Sequence, residues 1–146
     1  MRYRQATTAD VPLLARMNAE LIRDEGHRNA MTAPELQVRM QGWLTGEYTA
    51  VIFELDAIPA GYALYRREEL HIYLRQFFVE RDRRRRGVGR SAIEWLLANE
   101  WRHAPRVRLE VLTGNAAAIE FWRSVGFADY AITMERPRLD GQIQSH

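Results

Sequence analysis

The chain has 146 residues, 47% of them hydrophobic and 27% charged, the size and balance of one folded unit rather than a disordered segment. It contains no cysteine, which excludes disulfides, thiolate zinc sites and a cysteine nucleophile, and no lysine, which excludes Schiff-base chemistry on the protein. A formal net charge of +2 is small for a nucleic-acid binder, and with no long apolar run and no secretory h-region at the start the composition reads as cytoplasmic.

"MRYRQA" opens the chain as a strand. "TTADVPLLARMNAELIRDEG" (7–26) places Val11, Leu14, Met17, Leu21 and Ile22 at helical spacing, with Thr8 or Asp10 as cap, Pro12 in the first turn and Gly26 at the end. "TAPELQVRMQGWL" (32–44) predicts a second helix capped by Thr32, its buried side formed by Leu36, Met40, Trp43 and Leu44. "YTAVIFELD" (48–56) and "IPAGYALYRR" (58–67) read as a hairpin, and "ELHIYLRQFFVE" (69–80) as a third long strand rich in aromatic and β-branched residues. Strict alternation along that strand puts Ile72, Leu74, Gln76 and Phe78 on one face and Tyr73, Arg75, Phe77 and Val79 on the other.

"VGRSAIEWLLANEW" then predicts a helix, "RVRLEVL" (106–112) a strand, "NAAAIEFWRSV" (115–125) a helix closed by Gly126, and "FADYAITMER" (127–136) a last strand. Three consecutive strands favour antiparallel pairing, and the strand–helix–strand unit after them favours a parallel pair. The expectation is a mixed α/β (α+β) sheet with helices on both faces, formed by one domain over 1–136 with a polar tail at 137–146.

Residues 81–90 read "RDRRRRGVGR", six arginines and two glycines between a strand and a helix. Such a cluster can hold a nucleic-acid backbone, the phosphates of a cofactor, or only solvent. A helix N-terminus offers unpaired N–H donors and partial positive charge, and glycine lets the main chain approach an anion closely. The Walker lysine and the third glycine of the dinucleotide fingerprint are both missing.

"VERDRRRRGVGR" resembles the Gln/Arg-x-x-Gly-x-Gly/Ala signature of the GCN5-related N-acetyltransferases (GNAT), with Arg84, Gly87 and Gly89 at the signature positions. "LEVLTGNAAAIEFWRSVGF" (109–127) is similar to that family's strand, asparagine, helix and Gly-Phe ending, with Asn115, Ala118, Phe121, Gly126 and Phe127 in register. The resemblance covers about residues 2–136. It implies a mainly antiparallel sheet of six to seven strands with about four helices, acetyl-CoA as cosubstrate, and a homodimer paired across a sheet edge. The cofactor-binding residues it implies are Phe78, Val79, Arg84, Arg85, Arg86, Gly87, Val88, Gly89, Arg90, Asn115, Phe121 and Trp122, with a backbone N–H near Phe78 or Val79 on the thioester oxygen.

The implied reaction is direct attack of a primary amine on the thioester. An aliphatic amine of pKa near ~10.4 is neutral only about once in 10³ molecules at pH 7, so a base or a water chain is expected. The family positions for a base match Tyr73 or Arg75, neither of them basic near pH 7; Glu69 and His71 (with Glu68) lie just upstream. Trp122 stands where the family often has a tyrosine acid, leaving Tyr130 or Tyr73 as substitutes. Asp24, Glu25, His27 and Asn29, between the first two helices, are candidates to bind the acceptor, with His27 also a candidate base. Trp43, Tyr62 and Tyr65 are candidates to line its pocket. The histidines show no ligand spacing, and no metal is expected. Three readings stand: an N-acetyltransferase for a small or peptide amine, a coenzyme A-binding sensor or interaction module with weakened catalysis, and a nucleic-acid binder using the arginines.

Overall fold

The structure, a computed structural model, describes residues 1–26 and 28–138. A short 3-10 turn at Thr8–Asp10 opens the first helical segment, where the Asp10 carboxylate accepts from Thr7 N and from both terminal guanidinium nitrogens of Arg4, each at 2.9 Å. Helix α1 (Val11–Glu25) follows, with Pro12 in its first turn and Gly26 at φ 66° closing it. Helix α2 (Ala33–Thr45) begins from a capping box in which Thr32 Oγ1 accepts from Glu35 N at 3.3 Å and Glu35 Oε1 accepts from Thr32 N at 2.8 Å.

Strands β1 (Arg2–Gln5), β2 (Tyr48–Leu55), β3 (Ile58–Arg67), β4 (Ile72–Val79) and β5 (Val107–Arg108) lie side by side in chain order. The first four are antiparallel, and β5 is parallel to β4. Helix α3 (Val88–Ala98) makes the crossover and α4 (Ala116–Ser124) follows β5. One sheet face buries Leu14, Met17, Leu21 and Met40 of α1 and α2 against Ile52, Tyr62, Leu64 and Phe78. The other buries Val88, Ala92, Ile93 and Leu96 of α3 against Phe53, Tyr65 and Leu74, with Phe121 and Trp122 of α4 packed beside them.

Two sequence expectations are corrected. The sheet has five strands among the described residues, fewer than six or seven. Only Val107 and Arg108 of the expected 106–112 strand pair with β4, and 127–136 forms no strand. Tyr130, Ile132 and Met134 do alternate, but they are 71%, 78% and 84% exposed. A period of two describes a strand only when a neighbouring row supplies hydrogen bonds; past Phe127, whose N–H donates to Trp122 O at 3.0 Å, this segment is tied by side-chain contacts: Arg108 to Tyr130, Thr133 to Glu110, Arg123 to Asp129 and Arg28 to Glu135.

The second correction concerns the faces of β4. Leu64 lies opposite Gln76 but Tyr65 opposite Leu74, so Arg75 is an extra residue in a β-bulge. The bulge reverses parity along the strand. Ile72 and Leu74 therefore join the core on the α3 side together with Phe77 and Val79, while Gln76 and Phe78 lie on the α1/α2 side, where Arg75 meets Trp43 and Tyr48. Close approach of the strands fixes a glycine here: a Cβ on Gly61 would stand 2.0 Å from Phe78 O.

Candidate functional site

Between β4 and α3 the chain makes a 3-10 turn at Arg81–Arg83, then takes left-handed backbone at Arg85 (φ 63°) and at Gly87 (φ 76°). Such a conformation costs an arginine on the order of 1–3 kcal/mol, a cost often met at ligand sites. The first bond of α3 runs from Ser91 N to Gly87 O at 2.9 Å. The N–H groups of Val88, Gly89 and Arg90 lie ahead of it, with no helical carbonyl one turn back. Gly89 lets the helix begin against α4, since a Cβ there would meet Phe121 Cζ at 3.0 Å.

The arginines divide by role. Arg84 is committed inward: Nε donates to Val79 O at 2.8 Å and a terminal nitrogen donates to Asp24. Arg81 holds the second oxygen of Asp24 at 2.9 Å. Burial alone would raise the Asp24 pKa, but the bonds from Arg84 and Arg81 outweigh it and hold the carboxyl below its ordinary value. Arg90 donates to Ser124 O at 2.9 Å, tying α3 to α4. Arg85 and Arg86 are exposed and form no ion pair among the described residues.

The outer edge of β4 is open above β5. The ladder between them ends at Tyr73 and Arg108. Glu80 N donates to Ala60 O at 2.7 Å, and Tyr62 lies opposite Phe78 two residues further down the same ladder. By antiparallel alternation the Phe78 N–H belongs to β3, whereas the N–H groups of Phe77 and Val79 point the other way, to the open edge. Of the two expected positions for a thioester donor, Val79 thus has its N–H on the open edge and Phe78 does not. The adjoining wall is aromatic: Phe77 stacks on Phe121 at 6.0 Å, and Trp122 meets Phe77, Phe121 and Phe127 edge-on at 5.2, 5.0 and 5.2 Å.

Most of the candidate catalytic and acceptor residues do not converge there. Tyr73 Oη donates to Glu110 Oε1 at 2.9 Å, and burial together with that carboxylate pushes its pKa up to about 12. Tyr130 is exposed beneath Arg108, whose guanidinium lies 4.6 Å from its ring. Glu69 and His71 precede β4, with His71 six residues from Phe77, roughly 20 Å at about 3.3 Å per residue. Asn115 caps α4, its Oδ1 accepting from Ala118 N at 3.2 Å. Asn29 Oδ1 accepts from Met31 N at 2.8 Å, and Asp24 is spent on Arg81 and Arg84. Glu25 is near enough to act electrostatically on Tyr62. His27 lies outside the described residues.

On the α1/α2 side the bulge assembles a polar group in which the pocket candidates Tyr62 and Trp43 and the base position Arg75 meet Gln76 and Arg39, which sequence reading did not single out for the site. Buried Tyr62 donates to Gln76 Oε1 at 2.7 Å, and burial pushes its hydroxyl pKa up. Beside them Arg75 and Arg39 both lie against Trp43, with guanidinium carbons 4.8 and 4.5 Å from the ring centroid. A helical arginine and a strand arginine far apart in sequence carry no local signal that they meet.

An open strand edge leading to a helix N-terminus, with exposed arginines at its mouth and an aromatic wall behind, suits an extended carrier that ends in phosphates. The free amides of α3, the absent Cβ at Gly89 and the unpaired charges of Arg85 and Arg86 all fit coenzyme A. The acetyltransferase (GNAT) family profile matches residues 16–127, and the chain belongs to that family. It is an acetyl-CoA-dependent N-acetyltransferase.

Solved structures share the fold. A mutant of the BH1408 protein from Bacillus halodurans is 24% identical with a TM-score of 0.79, over 95% of this chain and 100% of that one. The aminoglycoside N-acetyltransferase AAC(6')-Iy in complex with CoA is 13% identical with a TM-score of 0.76, over 94% of each chain. A predicted acetyltransferase with acetyl-CoA from Clostridium acetobutylicum is 18% identical with a TM-score of 0.73, over 96% of this chain and 97% of that one. No curated protein matches the chain.

Proposed function

We propose that the open edge of β4 and the N-terminus of α3 hold acetyl-CoA, and that an amine entering from the α1/α2 side attacks it directly. The single observation carrying this reading is that the Phe77 and Val79 N–H groups face an unpaired edge that runs into the α3 N-terminus. The bound cosubstrate supplies an acetyl thioester. The amides of Val88, Gly89 and Arg90 bind pyrophosphate, aided by the helix dipole, and Arg85 and Arg86 add charge at the rim. Arg84 acts through position, holding Val79 and Asp24 so that the loop keeps its shape. Phe77 N–H donates to the thioester oxygen as charge develops there, and Val79 N–H pairs with the carrier's extended arm. Phe121 and Trp122 form the wall that excludes water.

Tyr73 is pushed up to about 12 by burial and Glu110, and Glu69 and His71 precede β4, so in this reading the amine loses its proton to water. Release of free thiol from acetyl-CoA with a panel of primary amines tests this reading. The rate should climb about tenfold per pH unit toward the amine pKa, and a plateau near pH 7 would identify a protein base instead. We further propose a small-molecule acceptor, in keeping with the aminoglycoside N-acetyltransferases of like fold, one of which is solved with sisomicin. We also propose one catalytic domain over 1–136, a cytoplasmic location, and a homodimer that covers Tyr130, Ile132 and Met134. No helix among the described residues is long and apolar enough to cross a membrane.

A further inference from the structure

The polar group beneath the β4 bulge is rich in donors and poor in acceptors. Arg39 donates to Asn18 Oδ1 at 3.0 Å, and Arg75 donates to Tyr48 Oη at 3.3 Å. Tyr48 Oη also takes Arg66 at 2.8 Å. Asn18 is 0% exposed, and its Nδ2 finds no partner. The Nε atoms of both Arg39 and Arg75 are buried and unpartnered as well. Neither guanidinium forms an ion pair among the described residues. The carboxylates nearby are engaged elsewhere: Asp24 with Arg81 and Arg84, Glu68 with Arg66, Glu35 with the α2 cap, Glu80 with Arg16. Glu25 is felt at Tyr62.

Two half-buried cations against one indole ring, with unpaired donors and no ion pair to either guanidinium among the described residues, call for an anion. The arrangement also has a place in the reaction. Arg75 precedes by two residues Phe77, whose N–H faces the open edge, so an anion here is roughly 7 Å along the strand from the thioester. Resting on the acetyltransferase reading of this site, we propose that the acceptor is an anionic primary amine, its carboxylate or phosphate bound by the terminal nitrogens of Arg39 and Arg75, with Asn18 holding Arg39 in place. A planar guanidinium fork meets either oxyanion with two parallel bonds. A polycationic acceptor would instead meet two like charges.

The test is thiol release by the intact protein with matched amines: amino acids against their amides, O-phosphoethanolamine against ethanolamine, and spermidine as a polycation. The anionic member of a pair should exceed its neutral partner roughly 100-fold in kcat/KM, mostly through KM, with spermidine poorest. Preference within the anionic set separates carboxylate from phosphate. Arg75→Met and Arg39→Gln should each bring the anionic-to-neutral ratio down toward one, and Arg75→Lys should restore part of it. Calorimetric titration of the same amines into the coenzyme A complex gives a readout independent of turnover. Equal or better use of neutral or cationic amines overturns the proposal while leaving the transferase reading intact. If no amine releases thiol the transferase reading fails instead, and the titration still decides whether an anion binds here.

Discussion

Replacement of Gly61 by alanine probes the strand contact on which the site is built. Gly61 lies opposite Val79 in the β3–β4 ladder, and a Cβ there would stand 2.0 Å from Phe78 O and 2.8 Å from Phe53 Cε2. Carbon–oxygen contacts settle near about 3.3 Å, so β4 must yield by more than about 1 Å. The neighbouring rung from Glu80 N to Ala60 O, now 2.7 Å, lies within that distortion. Each net hydrogen bond lost costs about 1 kcal/mol, and forcing Phe53 off its rotamer costs about 0.5–1.5 kcal/mol more. The sum for two or more bonds is about 3 kcal/mol or above. For a chain of this size that corresponds to a fall in Tm of about 6–12 °C. Gly42→Ala is the control: nothing lies within 4 Å of its added Cβ, and it sits inside α2. That change should stabilise by about 0.5–1 kcal/mol. Thermal unfolding followed by circular dichroism measures both, and KM for acetyl-CoA should rise in Gly61→Ala as Phe77 and Val79 shift. A Gly61→Ala protein melting with the wild type would refute the reasoning.

Three further outcomes are expected. Tyr62→Phe leaves buried Gln76 Oε1 without its donor at 2.7 Å, and urea unfolding should register a loss of about 1–3 kcal/mol with the m-value unchanged. Asp24 has a folded-state pKa below its unfolded value, so its contribution is present above the unfolded pKa and is lost as pH falls through the folded one. Between pH 5 and pH 3, roughly, stability should therefore fall less steeply in Asp24→Asn than in the wild type. With Tyr73 titrating at about 12, its ionisation should leave no inflection in the rate profile below about pH 10, and Tyr73→Phe should keep the profile's shape.

What was legible in the sequence was local chemistry. Thr32 and Glu35 announce a helix start because the capping box needs only four consecutive residues, and the structure forms both of its bonds. Gly87 and Gly89 announce a strand-to-helix loop because their backbone role is written in their type. The bulge at Arg75 was not legible, since it depends on the register of β3 against β4, and alternation alone assigned its neighbours to the wrong faces. Asp24 looked like a free acid at a pocket mouth because its partners, Arg81 and Arg84, lie 57 and 60 residues further along the chain. The 127–136 segment had the period of a strand and no neighbouring row to join. The cluster of Arg39, Arg75 and Asn18 joins α1, α2 and β4, a meeting that only tertiary packing creates.

The central claim is that acetyl-CoA binds along β4 with its phosphates at the start of α3. Calorimetric titration of acetyl-CoA into the wild type and into the double variant Arg85→Glu/Arg86→Glu tests it most directly, since both side chains are exposed and their replacement leaves the core untouched. One-to-one binding that weakens at least about tenfold in the variant, and weakens further as salt is raised, is the predicted result. Equal affinity in the two proteins, or no binding by the wild type, would contradict it.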